Sequence, residues 1–451
     1  MEYGMMFKGD AIPFPSSILS QHVPFRIQDD SCTLTCSPAI DRQTCPLSGV
    51  RVLELGQLIA GPFCGQLLAH FGAEVIKIEP PTTGDPLRVW RELDEDGVSP
   101  WFRSLARNKK SVTLDLRKEK GREIVEKLAL KSDVLIENFK PGTIEKWGIG
   151  PSDLSPLNPS LIFTRISGYG QTGPLRSEPG FAAVCEGFSG FRFVNGNVDS
   201  NGKLAGAPVR PNISLGDSLA GLHAAFGTVM ALLARGKLGG KGQTVDVAIY
   251  EAVFNMMEGI LPAYSRTGAV RGPSGPGVTG IVPTSAFPTS KDEEYVIIGG
   301  NGDSIYQRLM QRIGREDLTG EAYANNAKRV ERQGEIEDAI TAWTSKHTMD
   351  EVLKAMKEAR VPAGPINSIA NLAEDEHLVA RGMVESVPVH SKKLDKTWEV
   401  KVPGVSPILD RGGTGTRWAG RDLGEDNEEV YRGELGMSEA EVAALIKEGV
   451  I

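Results

Sequence analysis

The carboxylate with the most reactive setting in this 451-residue chain is Asp217, within VRPNISLGDSLAGLHAAFGTVMALLARGKLGGKGQTVDVAIYEA at residues 209–252. After a break at Pro211, Leu215, Leu219, Leu222, Phe226, Val229, Met230 and Leu233 recur at helical spacing, which predicts a helix with that apolar stripe against a core. Asp217 then falls in its first turn. The partial positive charge of a helix N-terminus favours the ionised carboxylate, which is also the nucleophilic form. Taken alone, an aspartate there has two readings, a helix-terminal charge that stabilises the fold or a nucleophile.

A nucleophile needs a scaffold, and the preceding chain has α/β patterning. Residues 51–55 form a short apolar run. AGPFCGQLLAHFG follows with Pro62 near a helix start and Gly72 at its stop, and AEVIKIE at 73–79 reads as a second strand. Strand, helix, strand implies a right-handed crossover and a parallel sheet. The pattern continues through a helical KEKGREIVEKLALKS, a strand DVLIEN ending at Asn138, a short helix after Pro141 and Gly142, and a strand LIFTRI ending at Ile166. No G-x-G-x-x-G follows the first strand, so neither NAD nor FAD is expected. Residues 168–190, rich in Gly, Pro and aromatics, read as loop near the carboxyl ends of the strands, where open α/β sheets bind ligands. QTVDVAIYEA is expected to be a short strand. Gly and Pro crowd residues 268–280 as a linker. IVPTSAF, EYVIIGGNGDS and amphipathic stretches to about residue 360 suggest a smaller second domain, and VPAGPIN punctuates its exit. VESVPVH and TWEVKVPG are strand-like, and Ser438 with Glu441 caps a terminal helix.

At this length two domains are expected, and 40% apolar with 24% charged residues is an ordinary globular composition. A formal charge of −8 argues against general nucleic-acid binding, so an anionic ligand must find local cations or backbone N–H groups. No uninterrupted apolar run reaches the roughly 18 residues of a bilayer span, and no membrane partner is expected. Five cysteines without a C-x-x-C pair suit a reducing compartment, and neither they nor the six scattered histidines have metal-site spacing. Residues 1–46 lack a period and read as an extended or disordered arm. Their acidic residues are unlike a transit peptide, which leaves targeting open.

Seven segments in order, LxxGQLIAGPF at 53–63, GAEVIKIEPP with GDPLRVW at 72–90, RNKKSVTLDLR at 107–117, DVLIENFKPG at 133–142, ISGYGQTGP at 166–174, LGDSLAG at 215–221 and GKGQTVDVAIYEA at 240–252, resemble the class III CoA-transferases of the formyl-CoA and carnitine CoA-transferase type. GYGQTGP, PVRP at 208–211, IVPTSAF and VPAGPIN bring the resemblance closest to the succinyl-CoA:dicarboxylate branch, the succinate–hydroxymethylglutarate (glutarate) CoA-transferases. The resemblance covers about residue 48 to the C-terminus.

It implies an α/β fold. A Rossmann-like large domain with an open parallel sheet would be built from residues 47–267 and 384–451, joined by the linker at 268–280 to a small α/β domain at 281–383. Two such chains would interlock as a homodimer. It implies Asp217 as the nucleophile. CoA contacts would come from the segments holding Arg88, Trp90, Arg107, Lys109, Lys110, Leu114, Arg117 and Asn138, since ADP needs cations for its phosphates and an aromatic or apolar slot for adenine. A glycine loop over the acyl group would match Gly299, Gly300, Asn301 and Gly302, where Asn301 replaces a family glycine, and its backbone N–H groups would stabilise oxyanions.

The substrates implied are CoA thioesters and carboxylic acids, with no permanently bound cofactor and no metal. CoA would pass from succinyl-CoA to glutarate, hydroxymethylglutarate or itaconate, with Arg165, Arg176 or Arg210 available for a distal carboxylate. The compartment implied is mitochondrial or cytoplasmic. The rival reading is a 2-methylacyl-CoA racemase, whose proton-transfer histidine would fall where this chain has Phe181 and Ala182; His223 reads as structural. Phe181 also stands where formyl-CoA transferases carry tyrosine. A third reading is a non-catalytic acyl-CoA-binding protein.

Overall fold

The computed structural model describes residues 44–199 and 201–451, so the expected arm at 1–46 lies almost wholly outside the described residues. Six strands, β1 (Arg51–Glu54), β2 (Glu74–Glu79), β3 (Lys109–Thr113), β4 (Val134–Glu137), β5 (Ile162–Ser167) and β6 (Thr244–Ala248), form one parallel sheet in the order β3-β2-β1-β4-β5-β6. Alternate strand residues feed opposite faces. Leu53, Ile76, Leu135 and Phe163 join one core with Val430, Tyr431 and Leu445 from the C-terminal region, while Val52, Val75, Val134 and Ile162 join a second with the helix Ala60–His70 and the Asp217 helix. Each fully buried Leu, Ile, Val or Phe contributes about 1.5–3 kcal/mol, so the sheet is a rigid platform for whatever its carboxyl edge carries.

Strand β3 is a correction to the sequence reading. KKSVT reads in sequence as a run of cations for a ligand, yet it pairs residue for residue with β2 from Val75–Lys109 to Glu79–Thr113. Its pleat sends alternate side chains to opposite faces, so a lysine-rich sequence is compatible with a buried edge strand when carboxylates await it. QTVDVAIYEA also divides, with β6 ending at Ala248 and the helix Ile249–Asn255 following directly.

The Asp217 helix spans Leu215–Lys237, but its inner face is only in part the one the periodicity selects: of that stripe, Leu219 and Val229 pack against the second core. Gly216, Ala220, Gly221, Ala224, Ala225, Thr228 and Ala231 are buried, whereas Leu222, Phe226, Met230 and Leu233 are 43–66% exposed. Close approach is the reason. A Cβ on Gly221 would lie 2.7 Å from the Ala60 carbonyl oxygen and 3.0 Å from Phe63, and Thr228 reaches β5 through a 2.6 Å hydroxyl contact with Thr164. Small residues let the helix pack directly on the sheet and its first helix, leaving Leu222, Phe226, Met230 and Leu233 outward. This helix is also long and apolar enough, with a mean hydropathy of 1.3, to meet the length and composition of a membrane span, although no unbroken apolar run announced it.

Beyond the 268–280 segment a three-stranded antiparallel sheet, β7 (Thr284–Pro288), β8 (Tyr295–Gly299) and β9 (Ala363–Pro365), has its own core with Tyr306, Leu309, Ile336 and Met356. A hairpin follows, β10 (Val384–Ser391) with β11 (Lys396–Pro403). The terminal helix Glu439–Lys447 has the expected capping box, in which the Ser438 hydroxyl accepts from Glu441 N and the Glu441 carboxylate accepts from Ser438 N.

Candidate active site

The strand order reverses direction between β1 and β4, the point where open α/β sheets open a crevice at their carboxyl ends. Gln57, after β1, and Asn138, after β4, bridge it with reciprocal hydrogen bonds: Gln57 N donates to Asn138 Oδ1 at 2.9 Å and Asn138 Nδ2 donates to Gln57 O at 2.8 Å. The Asp217 helix crosses just beyond. Gly221, one turn after Asp217, lies against Ala60, the first residue of the helix that follows β1.

Asp217 is the third residue of its helix and partly buried, and its carboxylate makes no hydrogen bond among the described residues. It therefore caps nothing. Burial pushes its pKa up to about 6, the nearby Glu186 charge adds to the rise, and Arg210 opposes it. The helix terminus alone would hold it lower, so desolvation and a second carboxylate outweigh the dipole here.

Glu186 is the residue that sequence reasoning missed. It lies in the helix Ala182–Phe188, fully buried, and its Oε1 accepts from Gly216 N at 3.2 Å. Arg210 grips it through Nε to Oε2 at 3.0 Å and Nη2 to Oε1 at 3.3 Å, and Arg192 adds Nε to Oε2 at 3.4 Å. Gly216 suits this close packing, since a Cβ there would lie 3.1 Å from Ile249 Cγ2 and 3.3 Å from Glu186 Cγ. The signal was available: Glu186 and Arg192 are the two charges in the otherwise uncharged FAAVCEGFSGFRFV.

The other candidates fall into distinct places. Phe181 is 73% exposed at the start of the Ala182–Phe188 helix, and His223 turns its Nδ1 onto Leu219 O of its own helix at 2.8 Å, with Nε2 3.4 Å from Asn255. Phe181 has no ionisable group, and both ring nitrogens of His223 face neighbours other than Asp217. Cys185 is buried, its thiol pushed up to about 11 by burial and by the Asp217 and Glu186 charges, so it stays protonated. A cavity of about 280 Å³ between the GYG turn and Tyr250 does not include Asp217 in its lining.

The eight expected CoA contacts are not brought together on one surface. Arg88 is buried, bound to Glu79 at 2.7 Å and stacked 3.9 Å over Phe102. Lys109 is buried between Glu54 at 2.7 Å and the Pro62 carbonyl at 2.6 Å, its pKa lowered to about 8 chiefly by desolvation. Arg107 donates to Ser104 O and Pro403 O, and Leu114 is core. Lys110 faces three carboxylates, Glu74, Glu429 and Glu434. Arg117 is exposed beside Asp115, and Asn138 sits at the switch point described above. Trp90 is 41% exposed, tilted 6.5 Å from Trp101, over which Arg91 lies at 4.8 Å. That exposed aromatic and cationic group has the chemistry an adenine needs.

In the glycine loop, β8 ends at Gly299 and Gly302 opens the helix Asp303–Arg312. Gly299 N donates to Pro362 O at 2.9 Å and Gly300 N to Pro283 O at 2.8 Å, so these two N–H groups are occupied, contrary to the expectation that the whole loop could serve oxyanions. Asn301 N and Gly302 N have no acceptor among the described residues. Fully buried Arg329 pins the loop from beneath through Asn301 O at 2.6 Å and Asp303 at 2.8 Å.

The model for CoA-transferase family III matches residues 47–427. The chain belongs to CoA-transferase family III. Among the relatives of this CoA-transferase, a succinyl-CoA–D-citramalate CoA-transferase of Chloroflexus aurantiacus is 43% identical over 407 residues, 90% of this chain and 98% of that one. A succinyl-CoA–L-malate CoA-transferase alpha subunit of Chloroflexus aurantiacus is 39% identical over 92% of this chain and 95% of its own. The crystal structure of a CAIB/BAIF family protein from Brucella suis superposes with a TM-score of 0.75 at 29% identity, over 87% of this chain and all of that one. As a CoA-transferase the protein is an enzyme whose substrates are CoA thioesters.

Proposed function

We propose that this CoA-transferase moves CoA from succinyl-CoA to a short dicarboxylate, foremost a 2-substituted succinate, through covalent intermediates on Asp217. The observation that carries the reading is the state of Asp217, a partly buried carboxylate in the first helical turn that caps no N–H and has its basicity raised. The acid class rests on the two relatives named for citramalate and malate transfer, and it moves the expected acceptor from glutarate towards acids with a four-carbon backbone.

The chemistry is exchange of acyl partners. The Asp217 carboxylate attacks the succinyl-CoA carbonyl, the C–S bond breaks, and a mixed anhydride and CoA thiolate result. Thiolate attack on the aspartyl carbonyl expels succinate and leaves aspartyl-CoA thioester. The acceptor carboxylate then displaces CoA thiolate to form a second anhydride, and the thiolate attacks the acceptor's acyl carbon, returning Asp217 as carboxylate. Each step develops an oxyanion, and one well-placed N–H donor contributes roughly 3–4 kcal/mol to its stabilisation. The N–H groups of Asn301 and Gly302 are the loop donors left for that role.

The same proposal includes a homodimer. Leu222, Phe226, Met230 and Leu233 expose one continuous helical stripe, and a second copy covering it would remove that apolar surface from water. A mass-spectrometric matrix of CoA donors against carboxylic acid acceptors tests the function. Succinyl-CoA with citramalate, malate or itaconate should turn over fastest. Turnover confined to formate, oxalate or carnitine partners would contradict the reading.

A further inference from the structure

The transfer steps use Asp217 but leave the two arginines around Glu186 without a task. We infer that Arg192 and Arg210, held in place by Glu186, form the subsite for the distal carboxylate of the dicarboxylic substrates. The inference rests on the transferase reading above and deepens it. Of the arginines available in sequence, Arg165 is ruled out by its own partners, since it is buried and bound to Glu137 and Glu145 at 2.7 Å each. Arg176 is exposed in the GP loop with no carboxylate to orient it among the described residues. Arg210 and Arg192 differ from both. Their anchor is fully buried, while their own side chains stay 34% and 23% exposed.

The geometry leaves donors to spare. Arg210 spends Nε and Nη2 on Glu186, and Arg192 spends Nε, so Nη1 of the first and both Nη groups of the second have no partner among the described residues. A guanidinium with one edge locked and the other open is preorganised to take a carboxylate. One carboxylate between two guanidiniums also leaves one positive charge unmet.

Ionised Asp217, the residue after Gly216, whose N–H donates to Glu186, repels a second carboxylate at this group in the resting enzyme. Once Asp217 is an anhydride or thioester it is neutral, and the uncompensated charge is then available to a second carboxylate. Affinity for the acceptor diacid therefore rises at the step at which the acceptor must bind.

Asp217→Asn imitates the uncharged, acylated side chain, and succinate with its monoamide succinamate are the probes. Calorimetry on the full-length variant should show succinate bound at least about tenfold more tightly than succinamate, as expected for a charge-assisted pair. Adding Arg210→Gln or Arg192→Gln should bring that ratio to near one with CoA affinity unchanged, and Arg210→Lys should restore part of it. Steady-state discrimination between a diacid acceptor and its monoamide should collapse in the same single variants. Folded, CoA-binding arginine variants that keep the succinate preference would overturn the assignment. Because the binding arm needs no turnover, a wild type that fails to move CoA between acids would refute the transferase reading while the arginine site is still judged on its own.

Discussion

Replacing Asp217 by Asn should stabilise the protein while removing its activity. In the folded chain, burial and the Glu186 charge raise Asp217 from 3.8 to about 6. An acid with a raised folded-state pKa holds its proton more tightly folded than unfolded, so ionising it costs folding free energy. The cost is absent below the unfolded value, grows between the two values, and is complete above about pH 6.

By linkage it amounts to about 1.5 kcal/mol at pH 5 and about 3 kcal/mol at pH 8, and the favourable helix terminus offsets up to about 1 kcal/mol of this. Asn keeps the shape and carries no charge, and Asp217 has no hydrogen bond among the described residues to lose. Urea unfolding of wild type and variant at matched protein concentration, from pH 5 to pH 8, reads the difference directly. The Asp217→Asn protein should be the more stable by about 2–3 kcal/mol at pH 8, with the gap narrowing towards pH 5. A variant no more stable than wild type at pH 8, or a gap that does not depend on pH, would refute the electrostatic account of this site.

The same group governs rate. Since the attacking form is the carboxylate, log kcat/KM should fall with unit slope below about pH 6 and level off above it, and a profile flat to pH 5 would detach catalysis from Asp217. Gly221→Ala forces a methyl against the Ala60 carbonyl oxygen at 2.7 Å and should destabilise by about 1–3 kcal/mol in chemical denaturation; a neutral result would mean the two helices can part freely. Light scattering should return twice the chain mass, and Phe226→Glu, which puts a charge in the exposed stripe, should lower it. A wild type at single-chain mass would remove the homodimer, and an assembly untouched by Phe226→Glu would place the contact elsewhere.

Much of the scaffold could be read from the chain because local signals agreed with the global fold. The apolar strands β1, β2, β4 and β5, the glycine stop at Gly72 and the Ser438–Glu441 cap are each decided within a few residues. What escaped was decided by partners distant in sequence. KKSVT is a strand because Glu54 and the β2 backbone receive it, and Arg88 leaves the surface because Glu79 and Phe102 do. The Asp217 helix has the expected position and first turn, yet Leu222, Phe226, Met230 and Leu233 point outward, because hydrophobic periodicity identifies a stripe without saying which molecule covers it. Glu186 stands out in sequence only as one of two charges in FAAVCEGFSGFRFV, and its partner is set by the fold, which places it on Gly216 N beside Asp217.

The measurement that bears most directly on Asp217 as the nucleophile is covalent trapping. Enzyme incubated with succinyl-CoA and quenched with hydroxylamine should carry a hydroxamate on the tryptic peptide that contains Asp217, seen by mass, and the Asp217→Asn protein should carry none. An adduct on any other residue, or a folded Asp217→Ala enzyme that keeps most of its transferase activity, would contradict the account.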